Sequence, residues 1–453
     1  MEIPRISRIQ LPGGYKDKQK AREELATAEY ERPDPLKHHI LSAIATIGFP
    51  KLYEALMRRD LDFDEAFVGA CYALRASNAF FADATRELFP KDAGENREMV
   101  GREFLSAMAV KETYKGITPD EIAGMVTAVG LDFVARPSFG DRVFETCGTG
   151  GDIGFPPRDA PRKTINASTL SSLVIASLGI PTVKHGSYKN TSAVGSTDAI
   201  EGFGARVEQS NVSDIERIFR ETGYYFSDAH VFKTVHDLSH LEPRHETINH
   251  VLGHMTPPID KKTRLDKVMG VNEKVHPETI ARAFEKISRV GGQNIGNVAV
   301  VAGLVTDIDS HQIADYAFVK HLTMLDELSP YSSVVAFVRD GTYAGTFLLH
   351  PNDFGLTISS DAIALENKLE VIRDANMKAL RGHGVFADYL AMNAGLCLFV
   401  AEYASKPDAI SEHGPNRGML RECFARCNRT IAEDRPWKLL RRYVIATGGT
   451  FKE

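Results

Sequence analysis

The chain has 453 residues, 43% of them hydrophobic and 25% charged, a globular composition with room for a large core and far from disordered or collagen-like chains. A formal net charge of -6 and a pI near 6.2 leave no surplus of cations to neutralise duplex phosphates, so nucleic acid is not the expected partner. The length favours two domains.

The N-terminus, MEIPRISRIQLPGGYKDKQK, places charges and prolines where a secretory leader needs an unbroken apolar run, and no later run reads as a membrane span. Cys71, Cys147, Cys397, Cys423 and Cys427 are odd in number and scattered, without C-x-x-C pairing, so reduced thiols and a cytoplasmic location are expected. Residues 1–35 form a polar extension ending in Pro33-Asp34-Pro35. From 36 to 137 apolar residues recur at helical spacing (Leu41, Ile44, Ile47; Phe104, Met108), and Thr118-Pro119-Asp120-Glu121 reads as a helix start with a cap, a first-turn proline and early acids. This stretch is expected to be a helical domain, completed by helices around 235–265. After Pro137 short β-branched runs at 142–146, 182–184, 297–301, 316–319 and 333–338 read as strands. They alternate with helices at 168–178, 196–203 and 277–287, and helices at 361–379, 386–404 and 415–434 follow. The expected class is therefore α/β: a helical N-terminal domain and a larger α/β domain, 138–453, with a mainly parallel central sheet covered on both faces.

The sharpest local feature is Glu145-Thr146-Cys147-Gly148-Thr149-Gly150-Gly151-Asp152, a glycine-rich turn after a strand. Such a turn is either a plain tight turn or a cradle in which backbone N–H groups approach an anion. Thr164-Ile165-Asn166-Ala167-Ser168-Thr169 opens an apolar helix; ordinary capping explains one hydroxyl, whereas the whole cluster at a helix N-terminus suits a phosphate. A third polar segment runs from Lys184-His185-Gly186-Ser187-Tyr188 through Thr191, Ser192 and Ser196 to Asp198, at the C-terminal end of a strand, where open α/β sheets bind ligands. Asp326-Glu327, in LDELSP, are either a solvated acidic loop or hard oxygen ligands for Mg²⁺.

In this order and at these separations, GTGGD, TINAST, KHG with GSTD, and LDELSP resemble the motifs of the anthranilate phosphoribosyltransferase family. Supporting stretches are Thr118–Gly124, Val251–Pro258 and Asn393-Ala394-Gly395, so the resemblance spans about 36–453. It implies the nucleoside phosphorylase/phosphoribosyltransferase superfold, a homodimer formed through the helical domain, and phosphoribosyl pyrophosphate bound at the hinge. By position, Gly148, Thr149, Gly150, Gly151, Asp152, Thr164, Asn166, Ser168, Thr169, Lys184, Thr191, Ser192 and Ser196 are implied to contact the donor. Ser168 is implied to bind one Mg²⁺, and Asp326 with Glu327 a second. Lys184 and His185 are the catalytic candidates; His185 could equally pack against the acceptor or make a structural hydrogen bond. Two further readings are a nucleoside phosphorylase of the same superfold, disfavoured by KHGS and the acidic pair, and a repurposed member that binds nucleic acid.

Three departures fall mainly on the acceptor side. Residues 153–163 are an insertion carrying Arg158, Arg162 and Lys163, either a surface excursion or an anion-binding lid. Ser187 and Tyr188 stand where the family has Asn and Arg. The family's acceptor-binding Arg falls on His240, with Arg244 four residues on, and His254 and Pro257 replace a Pro and an Asn. The acceptor pocket is thus expected around His185, Gly186, Ser187, His240 and Arg244, in altered form.

Overall fold

The computed structural model describes residues 47, 49–77, 82, 97–130, 137–189, 191–208, 212–228, 238, 248–257 and 259–452. The extension at 1–35, and His240 and Arg244 with most of the expected completing helices, lie outside the described residues.

The N-terminal part is helical: α1 (Phe49–Arg58), α2 (Phe63–Ser77), α3 (Arg97–Lys115) and α4 (Pro119–Val129). The start of α4 follows the sequence signature, with the Thr118 hydroxyl accepting from the Glu121 N–H and Glu121 reaching back to the Thr118 N–H. Buried Glu121 also accepts from the Leu61 N–H at 3.0 Å and from Lys111 Nζ at 2.6 Å, so one carboxylate ties three segments together. Gly124 lets α4 lie on α2, since a Cβ there would stand 2.5 Å from the Phe63 carbonyl.

Beyond Pro137 the chain builds one sheet from β1 (Arg142–Gly148), β2 (Thr182–Gly186), β3 (Tyr224–Asp228), β4 (Arg264–Gly270), β5 (Ile295–Leu304), β6 (Thr323–Leu325), β7 (Ser333–Arg339) and β8 (Thr342–Leu349). The spatial order is β3-β2-β1-β4-β5-β7-β8, with β6 paired to β5. The first five are parallel, whereas β6, β7 and β8 are antiparallel to their neighbours. Every residue of β2, β3 and β5 is buried, which is the pattern of strands covered on both faces. Helices α5 (Ala167–Ser177), α6 (Ser196–Gly202), α7 (Val212–Thr222) and α8 (Pro277–Arg289) connect the parallel strands, and one continuous core joins the helical part to the sheet.

Several sequence readings are corrected. Residues 316–319 are not a strand but belong to helix α9 (Tyr316–Leu322), started by the Asp315 side chain accepting from the Phe318 N–H at 3.1 Å; the strand, β6, comes immediately after. The helix expected at 361–379 is broken into Ser360–Ile363 and α10 (Leu369–Leu380), and the break frees Asn367 to hold the backbone of Ala193 and Thr191. Helix α11 (Gly384–Leu398) continues as a π-helix to Tyr403, and this 20-residue run is long and apolar enough to cross a membrane, contrary to the sequence reading. It lies instead in the core, 78% buried, against α5 and α12 (Arg417–Ala432). A final helix, α13 (Arg435–Ala446), together with α7, β3, β4 and β8, has no counterpart in the sequence reading. In β4 the reason is visible: Asp266 and Lys267 interrupt an apolar run, and both are buried because each finds a partner, Asp266 in Arg142 at 2.5 Å and Lys267 in Glu145.

Candidate functional site

The C-terminal ends of β1 and β2 and the residues after β6 meet at one edge of the sheet and enclose a cleft with about 130 Å³ of space. β1 ends at Gly148, where a Cβ would stand 2.3 Å from Asp326 Oδ2. Gly150 and Gly151 follow in the left-handed region (φ +64° and +69°), a pair of conformations that favours glycine. The Gly150 N–H donates to Asp326 Oδ2 at 2.7 Å, and Asn272 fixes the same turn by donating to the Gly150 carbonyl at 2.8 Å and to Thr149 Oγ1 at 3.1 Å. Opposite lies the N-terminus of α5. Asn166 stands at its cap position but does not cap it: the amide donates to the Val194 carbonyl at 2.9 Å and accepts from Asn376 at 2.7 Å. The first-turn N–H groups are left without a side-chain cap beside the cleft, a favourable place for an anion. Gly186, Ser187, Thr191, Ser192 and Ser196 complete the wall.

Three carboxylates share this small space. Burial, and then the neighbouring Asp326 carboxylate, push the pKa of Asp152 up to about 6. Glu327 is raised well above its usual range by burial, Asp326 and Asp152, and it accepts hydrogen bonds from Thr164 and from Tyr389 at 3.4 Å. Carboxylates crowded in this way, with Asp152 and Glu327 both raised, are a favourable setting for a divalent cation. Among the described residues no group of three or more His, Cys, Asp or Glu side chains is gathered tightly enough to hold a metal alone. The set fits Mg²⁺, which takes one or two carboxylates and completes its shell with water and substrate phosphate. Among the described residues that line the cleft, Lys163, from the insertion, is the one Lys or Arg: it pairs with Asp152 at 3.1 Å and reaches Thr191 Oγ1 at 3.4 Å.

Behind the wall runs a second charged row, on adjacent strands and facing away from Lys184. Glu145 on β1 lies opposite Lys267 on β4 and pairs with it, and His185 Nδ1 meets the other oxygen of Glu145 at 2.5 Å. Burial opposes the charge on Glu145, but Lys267 and His185 overcome it and hold the pKa at about 2. Lys184, on the other side of β2, donates to the His185 carbonyl at 2.5 Å, and burial lowers its pKa to about 8.

The structure thus brings Gly148, Thr149, Gly150, Gly151, Asp152, Thr164, Asn166, Ser168, Gly186, Ser187, Thr191, Ser192, Ser196, Asp326 and Glu327 to one cleft. It does not bring Lys184, whose ammonium is buried on the His185 carbonyl, nor Thr169, whose side chain is fully buried, nor His185, whose ring is turned back onto Glu145. Tyr188 lines the rim with its hydroxyl committed to Glu201 at 3.1 Å. The insertion is anchored through Phe155, buried and bridged to Arg162, and through Lys163, bridged to Leu365; Arg162 pairs with Asp361. Of its three cations only Lys163 reaches the cleft. Sequence reasoning missed the supporting groups Asn272, Asn376 and Tyr389, for which no local motif exists. His254 was visible only as a departure from the family pattern, yet it lines the cleft. A larger cavity of about 790 Å³ opens elsewhere, by Gly140, Pro181, Gly223 and Arg435, but it holds neither the carboxylates nor the glycine-rich turn.

Residues 140–413 match the glycosyl transferase family, a/b domain. The chain is 31% identical over 296 residues to an anthranilate phosphoribosyltransferase of Natronomonas pharaonis, covering 63% of this chain and 77% of that one. It is 28% identical over 359 residues to that of Bordetella pertussis, covering 75% and 94%. The fold is similar to the solved anthranilate phosphoribosyltransferase of Thermus thermophilus, with a TM-score of 0.62 at 22% identity over 88% of this chain and 99% of that one. It is similar also to the Saccharomyces cerevisiae enzyme in complex with PRPP and Mg, with a TM-score of 0.57 at 17% identity over 95% and 98%. With the family match over more than half its length and the ordered motifs gathered at one cleft, this chain belongs to the anthranilate phosphoribosyltransferase family.

Proposed function

We propose that this enzyme transfers the 5-phosphoribosyl group of phosphoribosyl pyrophosphate to the amino nitrogen of anthranilate or a related aromatic amine, releasing pyrophosphate, with tryptophan biosynthesis as its setting. The observation that carries the reading is the convergence of the glycine-rich turn, the uncapped end of α5 and three crowded carboxylates on one cleft. The names of the relatives support the acceptor, and the yeast complex with PRPP and Mg supports the donor and the metal.

In this reading the N–H groups of the turn and the first turn of α5 take the donor's phosphates, with the Thr191 and Ser192 hydroxyls and the Lys163 cation beside them. Asp326, Glu327 and Ser168 would hold Mg²⁺, and Asp152 stands by. When bound, Mg²⁺ offsets the negative charge that grows on the departing pyrophosphate. An aromatic amine is already a nucleophile, so much of the remaining work is holding the two reactants in line in a cleft that excludes water. The site is proposed to lie at the hinge between a helical unit, 36–137, and the α/β unit, 138–453.

The homodimer and the cytoplasmic location belong to the same proposal. Tyr53 and Met57 on α1 and Met99 and Val110 on α3 form an exposed apolar face that supports pairing through the helical part. All five cysteines are free and buried, in keeping with a reducing compartment. The decisive experiment measures pyrophosphate release from phosphoribosyl pyrophosphate and Mg²⁺ with anthranilate and with other arylamines. Release that depends on both metal and amine is expected, and its absence with every amine would reject the transfer.

A further inference from the structure

Two imidazoles lie near the Gly186–Tyr188 end of the cleft, and they are not equivalent. His185 is 1% exposed, its Nδ1 is spent on Glu145, and it forms no part of the cleft wall. His254 does form part of that wall, together with Gly186, Ser187 and the glycine-rich turn. Its ring lies beside that of His185, with centroids 5.4 Å apart and planes tilted by 36°. It reaches the site from outside the sheet, on the turn after Ile248–Leu252, a segment that packs on α4 of the helical part. This segment also borders the donor turn, since a Cβ on Gly151 would stand 2.8 Å from His250 Cε1.

We propose that His254, not His185, is the catalytic imidazole: it accepts a hydrogen bond from the acceptor's amino group and then takes its proton, while His185, Glu145 and Lys267 act behind it as positioning residues. This rests on the phosphoribosyl-transfer reading above. In the reaction the nitrogen lone pair forms the bond to the anomeric carbon as the carbon–oxygen bond to pyrophosphate breaks, the electron pair leaving with pyrophosphate. The nitrogen is then an N-substituted anilinium. It loses one proton to the free ring nitrogen of His254, which becomes imidazolium and passes the proton to water.

The surroundings suit that task. The titratable and charged groups around His254 are His185 on β2 with Glu145 on β1 and Lys267 on β4, Lys184 within electrostatic reach on the other side of β2, and the carboxylates Asp152, Asp326 and Glu327 that line the same cleft. Burial, followed by His185, Lys267 and Lys184, presses its pKa well below the usual value, with Glu145 opposing, so the ring is neutral with a lone pair available at neutral pH. A weak base is sufficient here, because an anilinium is itself acidic enough to give up its proton at neutral pH. The chemistry also selects a substrate class: the acceptor must carry an N–H on the attacking nitrogen, which admits arylamines and excludes pyridine-type nitrogens such as that of nicotinate.

The test uses the full-length enzyme with anthranilate and nicotinate as probes. His254→Ala is expected to lower kcat about a hundredfold while leaving the calorimetric affinity for phosphoribosyl pyrophosphate and Mg²⁺ within about twofold, with partial recovery on adding free imidazole. His254→Asn, which keeps a hydrogen-bond acceptor but takes no proton, is expected to hold the KM for anthranilate and lose kcat. Wild-type kcat in His254→Ala, rescue by imidazole in His185→Ala instead, or turnover of nicotinate would each overturn the assignment. A measurement free of turnover separates this idea from the transfer reading. With pyrophosphate and Mg²⁺ in place of the donor, anthranilate should shift the imidazole NMR signals that His254→Ala removes, and an unshifted signal sinks the proposal even if transfer is confirmed.

Discussion

Asp326 and Glu327 are neighbours in the chain but are held differently, one by the Gly150 N–H and the other by the Thr164 hydroxyl and Tyr389. Their charges crowd each other, so the amides of Asp326→Asn with Glu327→Gln relieve repulsion rather than open a hole. The double variant should lose activity by about 10²–10³-fold, judged by the loss of one strong electrostatic contact in a transition state. Its Tm should equal or exceed the wild type's, and a Mg²⁺ titration of activity with parallel calorimetry checks both halves. Glu145 behaves in the opposite way. Its folded pKa of about 2 lies below the usual 4.5, so the stability it contributes is present above pH 4.5 and is lost as pH falls towards 2. Glu145→Gln strands Lys267 in the core, at a cost of about 3–5 kcal/mol. Guanidinium midpoints should therefore differ strongly between variant and wild type at pH 7 and draw together by pH 3; equal separation at both pH values would reject the ion-pair account.

At the scale of elements, the start of α4 was legible because its signals lie within one turn of chain. Thr118-Pro119-Asp120-Glu121 reads as a helix start, and the reciprocal capping bonds are present. Thr118→Ala should cost about 1 kcal/mol, visible as a lower urea midpoint with unchanged m-value. Pattern reading failed where tertiary partners changed what a residue type means, and where composition hid a local cap. In β4, Asp266 and Lys267 look like surface residues until Arg142 and Glu145, more than a hundred positions away, are brought beside them. At 316–319 the β-branched and aromatic composition suggested a strand, but the Asp315 cap begins a helix there, and the strand starts one turn later.

The molecule as a whole presents an apolar face on α1 and α3 that its own core does not cover. If two copies meet there, Met57→Glu with Val110→Glu should halve the mass measured by sedimentation equilibrium while leaving the fold intact by circular dichroism. A wild-type protein already monomeric at micromolar concentration would remove the dimer proposal. The sequence by itself determined the fold class and the order of the glycine-rich, hydroxyl-rich and acidic segments that gather at the cleft, because each of those segments is contiguous and its backbone geometry is set locally. Tertiary structure alone decided which side chains face the cleft. Alternation along β2 puts His185 behind the wall, and a segment from outside the sheet brings His254 to the front. Asn376, 210 residues from Asn166, takes the amide that a linear reading assigns to the ligand. Contacts between residues so far apart depend on how the strands and helices pack, and a pattern confined to neighbouring residues does not contain that information.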